Sequence, residues 1–403
     1  MVEQAAPAPS AGLIEVKQGE NHSGLLWALR RSALRDSMLL VVLAAVWAFF
    51  YFATDGIFLT QRNLVLLALQ TAIVSLAAIS AVMLIVTRNF DLSVGSAVAL
   101  VGVVLALLTV RHDVNPVVAV IISIIAGVLM GAWQGWWVTK LGVSSFIVTL
   151  AGMLYFRGVS MIATNGATVA PLPKPLTGFA TGFLPASASI VAVIAALGFY
   201  AAFRLVEFRR ARSLNVIEKL GPVLLRALAP PVVATVVAVW IVSWQGIPYI
   251  VLLVAISMIG AEFLMRRTRF GARLYAIGGN PEAARLSGIN VQGTIFWNFV
   301  IAGFFYGVTG VALTARVSGA IGGTAGLFLE LDAIAAAIIG GTSLAGGRGR
   351  VLGALLGALL MGSLNNGMSL MNVPTFYQNT ARGVVLLLAV ALDQLSRRRG
   401  HLR

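Results

Sequence analysis

Ser343 stands in a run of small residues, Gly341-Thr342-Ser343, of the kind that exposes a nucleophilic hydroxyl. Such a serine reacts only with a base beside it. The three histidines, His22, His112 and His401, fall in tails or loops, and no H-E-x-x-H occurs. Cysteine is absent, which removes thiolate metal sites and disulfides. The chain also lacks G-x-x-x-x-G-K-S/T, the loop whose amides cradle nucleotide phosphates. No catalytic residue and no metal ligand is therefore assigned. The pattern argues against an intramembrane enzyme, and the chain does not use ATP by itself.

Other polar residues can handle hydroxyl groups. Gln134, Asn365 and Asn366 lie within or beside apolar segments, where an amide is costly unless hydrogen-bonded. The partner is either a hydroxyl-bearing ligand or a neighbouring helix. In "RNFDLSVGS" (88–96), Asn89, Asp91 and Ser93 sit between two apolar segments. Asp91 reads either as part of a gate at a helix break or as a cap on the following helix. Glu330 and Asp332 carry the same two readings in the second half. Trp133, Trp136 and Trp137 fit an interfacial belt better than a platform on which a ligand stacks. Arg157 and Arg382 suit snorkelling or the satisfaction of backbone groups around a break.

The most deliberately built polar stretch is "YAIGGNPEAARLSGI" (275–289). Asn280 is a favoured N-cap, Pro281 suits the first helical position, and Glu282 complements the helix N-terminus. Gly288 is placed to end the helix. The spacing predicts a two-turn helix over 281–287, flanked by Gly278-Gly279. So short a helix needs something to pack against. Ala283, Ala284 and Ser287 offer a small surface, with Glu282 and Arg285 as rim charges. The helix lacks the large apolar face of one that lies on a membrane, so it reads as a docking element for a cytoplasmic partner.

The elements that position these residues are membrane spans. The chain is 59% hydrophobic and 11% charged, where a soluble domain carries about 25% charged residues. Its net charge of +15 resides in short clusters between apolar runs, which fits cytoplasmic loop ends better than a nucleic-acid face. Candidate spans lie near 36–54, 62–86, 95–110, 116–138, 145–163, 186–203, 229–245, 248–265, 294–317, 331–345, 351–371 and 382–395. The expected fold is an all-α polytopic membrane protein of 10–12 transmembrane helices, several short or broken. The division is a cytoplasmic tail (1–35), a transmembrane domain (36–396) with cytoplasmic loops at 204–228 and 266–293, and a basic C-terminus (397–403). The first 36 residues have no apolar core of a signal peptide. Clusters at Arg30/Arg31/Arg35, Arg204/Arg209/Arg210/Arg212, Arg266/Arg267/Arg269/Arg273 and Arg397/Arg398/Arg399 place both termini in the cytoplasm. Two stretches repeat: 131–146 with 362–376, and 90–102 with 329–341. On this topology the matching pieces cross in opposite directions, which makes an inverted repeat.

Glu282-Ala283-Ala284 with Gly288 matches the E-A-A-x-x-x-G coupling motif of ATP-binding-cassette importer permeases. Together with "FDLSVGS", "ELDAIAAAIIGGTSLAGGRG" and "GMSLMNVPTFYQ", it makes the chain resemble the monosaccharide branch of that family from about residue 55 to the C-terminus. The resemblance is closest to its D-xylose members. It implies a permease homodimer, a cytoplasmic ATPase that carries ATP-Mg under each coupling helix, and a periplasmic sugar-binding protein above. The location implied is the bacterial inner membrane, and the cargo D-xylose, with ribose, arabinose or another aldose still open. One departure is that Arg348 and Arg350 enter the "GGRGR" turn, where the family has uncharged residues; an added lipid or partner contact there stays open. Rival readings are an ion-coupled secondary sugar transporter and a passive channel. The first is disfavoured because ionisable groups cluster at span ends, and the second would need no ATPase.

Overall fold

A computed structural model describes residues 39–195, 198 and 245–401. The tail 1–35, the loop 204–228, the span expected at 229–245 except Gln245, and the arginines of the first two basic clusters lie outside the described residues, as does most of 196–203.

Long unbroken apolar runs give long helices. In chain order they are α1 (Leu39–Ala53), α2 (Gln61–Val86), α3 (Val94–Ala106, with a wider turn to Arg111), α4 (Pro116–Lys140) and α5 (Ser145–Thr164). A two-residue strand β1 (Thr168–Val169) precedes α6 (Lys174–Thr181) and α7 (Ala186–Ala195). After the undescribed stretch come α8 (Tyr249–Arg267), α9 (Arg269–Gly279), α10 (Pro281–Leu286) and α11 (Val291–Val317). Strand β2 (Ala320–Ile321), α12 (Leu329–Ile339), α13 (Val351–Leu370) and α14 (Thr375–His401) complete the chain. Among the described residues, α2, α3 with its wide turn, α4, α5, α8, α11 and α13 are long and apolar enough to cross a membrane. The protein is an all-α polytopic membrane protein.

Three expectations need correction. The segment expected to cross at 331–345 forms the 11-residue α12, about 16 Å at 1.5 Å per residue, half of a bilayer core of about 30 Å. The C-terminal helix begins at Thr375 rather than near 382, because nothing between those positions breaks a helix. The loop at 266–293 holds a second helix, α9. Its buried side, Gly271, Leu274, Ile277 and Gly278, is spaced for a helix, but its arginine-rich outer side hides the pattern.

Burial separates the roles of the spans. The most apolar stretch of α2 is 89% buried, against 28% for α4, α5 and α8, so α2 is the central helix and the others present broad faces outward. Small residues set the closest approaches. Gly127 and Gly131 of α4 lie directly on Gly303 and Gly307 of α11, backbone on backbone. In the second half Gly353 meets Gly340, and Gly357 meets Ala336.

The packing is reciprocal between halves. Helix α2 packs on α12 and α13, α11 packs on α3 and α4, and α2 and α11 pack on each other. The correspondence pairs α3 with α12 and α4 with α13. Helices α3 and α12 begin against each other, with Gly95 on Gly326 and the Glu330 carboxylate. From there they diverge. The far end of α3 packs beside Val169, Leu172 and Ala320, whereas α12 runs towards Gly340 and the turn that binds Val86. The strand pair β1–β2 is antiparallel, with Thr168 opposite Ile321 and Val169 opposite Ala320. It ties the outer loop of the first half to the segment leading into α12.

Candidate coupling and translocation site

Helix α10 has the cap that its sequence asks for. Asn280 Oδ1 accepts hydrogen bonds from the backbone N–H groups of Glu282 and Ala283, each at 3.0 Å. Pro281 occupies the first helical position and lacks the N–H that would otherwise be orphaned. Gly288 ends the helix with φ +81°, a conformation glycine adopts at little cost, and its N–H donates to the Arg285 carbonyl. The helix spans Pro281–Leu286, with Ser287 as C-cap. The Ser287 hydroxyl donates to the Ala283 carbonyl at 2.8 Å.

Its two faces differ from expectation at one residue. Ala284 is 4% exposed, so it packs inward rather than joining the outer surface. The outer surface is made by Glu282, Ala283, Arg285, Leu286 and Ser287. Leu286 is 79% exposed, an apolar anchor that the sequence reading passed over because it falls between charged and polar neighbours. Arg285 and Glu282 pair at 2.8 Å, both largely in water, where such a pair contributes little to stability. That carboxylate also raises the already high arginine pKa.

Gly278 sits at the base of this unit. Val86 O and Gly347 N lie against its Cα, where a side chain would have to be. Arg88 crosses the same junction. Its Nε donates to the Gly278 carbonyl at 2.8 Å and its Nη2 to the Gly279 carbonyl at 2.6 Å. Those carbonyls end α9, where helix acceptors lack intrahelical donors and cations are favoured. Gly347 N–H donates to Val86 O at 2.9 Å, and the Tyr275 hydroxyl donates to Gly349 O at 2.8 Å. The base of the α9–α10 unit is thus bonded to the end of α2 and to the turn before α13. Asn298 of α11 adds a bond to Met83 O at 2.8 Å.

From Arg88 the chain runs through Asn89 and Phe90 to the residues read as gate or cap. Asp91 Oδ1 accepts from the Ser93 N–H at 2.7 Å and from its hydroxyl at 2.6 Å. The Tyr306 hydroxyl donates to Asp91 Oδ2. Gln134 Nε2 donates to Ser93 Oγ at 2.5 Å. All four residues are buried. They join α4, the start of α3 and α11 in one hydrogen-bonded cluster; Asp91 binds Ser93, the N-cap residue of α3, and makes no side-chain cap bond to the helix itself.

Asn365 and Asn366 sit elsewhere, on α13. Asn366 and Asn63 of α2 exchange amide bonds at 2.8 and 3.0 Å. Arg382 Nε donates to Asn365 Oδ1 at 2.7 Å. Arg157 donates to the Ala325 carbonyl at 2.6 Å, satisfying non-helical backbone just before α12, as irregular chain at membrane depth requires. Tyr306, Asn63 and Arg88 were missed in the sequence. Their signals were a lone phenol and a lone amide near apolar runs, and an arginine just after a long, mainly apolar helix.

The chain was compared with known proteins. A family model described as branched-chain amino acid transport system / permease component matches residues 63–390. The chain belongs to this family. It is 42% identical to the xylose transport system permease protein of Escherichia coli (strain K12), over 96% of this chain and 98% of the relative. It is 40% identical to the xylose transport system permease protein of Haemophilus influenzae, over 93% and 100%. The ribose import permease protein of Escherichia coli (strain K12) is 36% identical over 83% and 87%. No solved structure matches the chain. Family and helices together make it a multi-pass membrane permease.

Proposed function

We propose that this protein is the membrane-spanning subunit of an ATP-binding-cassette importer that carries D-xylose from the periplasm to the cytoplasm. The observation that carries this reading is identity of 42% along nearly the whole of both chains to a xylose transport permease. Two copies pair in the bacterial inner membrane with both termini cytoplasmic. Each copy takes a cytoplasmic ATPase under α10, where ATP-Mg resides, and a periplasmic sugar-binding protein docks above.

In this reading Glu282, Ala283, Arg285, Leu286 and Ser287 meet the ATPase. Asn280, Pro281 and Gly288 shape the helix, and Ala284 and Gly278 seat it. Movement of α10 reaches the α2 end through α9 and Arg88, and from there the cluster of Asp91, Ser93 and Gln134. That cluster and the Asn365–Asn366 pair hold the helix starts whose separation opens the path. Halves related by inversion, with helices broken near midplane, are the arrangement of alternating-access carriers.

The test is co-purification from detergent-solubilised membranes, paired with ATP-driven xylose uptake in proteoliposomes that also hold the ATPase and binding protein. Wild type retains the ATPase, whereas Glu282→Lys and Leu286→Asp lose it and import falls with it. Wild-type import that proceeds without any ATPase would overturn the reading.

A further inference from the structure

A cavity of about 380 Å³ lies on the coupling side of the molecule. Its lining includes Arg266 of α8, Tyr275 of α9, and Arg348 and Arg350 of the turn before α13. Three arginines line one space, and no acidic residue is among its lining residues. The nearest acid, Glu262, stands behind them. Its Oε1 binds Arg266 Nε at 2.5 Å, and its Oε2 accepts from the Val351 N–H at 2.9 Å. Its single charge is shared between Arg266 and the start of α13, so one carboxylate stands against three arginines and the surroundings of the cavity stay net positive. The Tyr275 hydroxyl is turned to Gly349 O, which leaves the arginines to define the site.

The position of Arg266 indicates what fills the cavity. Ile256, Ile259 and Phe263 are 62%, 56% and 61% exposed. With Arg266 they follow spacings of three, four and three, one face of a helix. An outward apolar stripe on a membrane-spanning helix therefore ends at a guanidinium that lines the cavity. An amphiphile fits both parts at once, with an acyl chain along the stripe and a phosphate among the arginines. Arginine pairs with phosphate through two parallel hydrogen bonds, and basic pockets between membrane helices hold anionic head groups.

We propose that this cavity is a binding site for the phosphate head group of an anionic phospholipid. The site is separate from the outer surface of α10 and does not depend on the cargo or on the ATPase.

The experiment uses the purified full chain and native mass spectrometry. The probes are phosphatidylglycerol, phosphatidylcholine and inorganic phosphate. Wild type retains phosphatidylglycerol in preference to phosphatidylcholine. Arg348→Gln weakens that preference about fivefold, and the double variant Arg348→Gln/Arg350→Gln about thirtyfold, at roughly the strength of one surface cation each. Arg348→Lys keeps most of it. Size-exclusion profile and thermal midpoint in detergent verify that the variants remain folded. Equal retention of both lipids by wild type, or an unchanged preference in the folded double variant, overturns the proposal. Displacement of phosphatidylglycerol by low millimolar inorganic phosphate overturns the lipid assignment in favour of a soluble phosphate. A double variant that loses the ATPase while its lipid preference is unchanged makes the cavity a protein contact and also overturns it.

Discussion

At the scale of single residues, the buried cluster around Asp91 is the most consequential polar feature. Tyr306→Phe removes one donor to a buried carboxylate and leaves the rest of the ring in place. The expected loss is about 1 kcal/mol, the usual worth of an interhelical bond in a membrane protein. Asp91→Ala is more severe, because the Ser93 N–H and the Tyr306 hydroxyl are then both buried without their acceptor. A loss of about 3 kcal/mol is expected. Unfolding of detergent-solubilised protein followed by tryptophan fluorescence ranks the two variants, and the reverse order would show that Asp91 is not the centre of the cluster.

At the scale of elements, the seam between α4 and α11 depends on absent side chains. A Cβ at Gly131 would meet Phe299 O and the backbone of Gly303, so Gly131→Val forces the two helices apart. Gly158 on α5 has open space where a Cβ would be, and Gly158→Val is tolerated. Yield and monodispersity on size exclusion should fall for the first and not for the second. The junction at Arg88 is a different kind of contact, because it joins elements that move relative to one another in the proposed cycle. Arg88→Ala is expected to leave the ATPase bound and hydrolysing while less xylose enters per ATP consumed. Arg88→Lys, which keeps the charge without the two-point grip, should fall between. Simultaneous measurement of hydrolysis and uptake in the same proteoliposomes checks this. Equal loss of both would make Arg88 a docking residue instead.

At the scale of the molecule, reciprocal packing of the halves gives the frame its shape. Helices α3 and α12 begin together and diverge, and β1–β2 fastens the lead-in of α12 to the opposite half. The natural chain has no cysteine, so Thr168→Cys/Ile321→Cys places the only two thiols on directly opposed strand positions. Opposed strand residues have Cβ atoms about 5 Å apart, and mild oxidation should cross-link them within one chain. Mobility on a non-reducing gel reports the bond. In proteoliposomes it should halt xylose import until a reductant is added.

The membrane class, most span boundaries and the capped helix, expected over 281–287 and found over 281–286, are legible in the sequence, because each rests on local spacing. Apolar runs specify helices that satisfy their own backbone, and Asn280, Pro281 and Gly288 act within a few residues of themselves. The family is legible for the same reason, as its motifs are contiguous. Tertiary structure decided everything that depends on which faces meet. It turned Ala284 inward and Leu286 outward, and it revealed α9 by the burial of Leu274 and Ile277. It also brought Tyr306 to Asp91, Asn63 to Asn366 and Arg88 to the end of α9, partners separated by 215, 303 and 190 positions. In so uniformly apolar a chain, periodicity does not mark the inward face. Small-residue contacts and a few polar pairs choose it, and these become visible only when the helices are assembled.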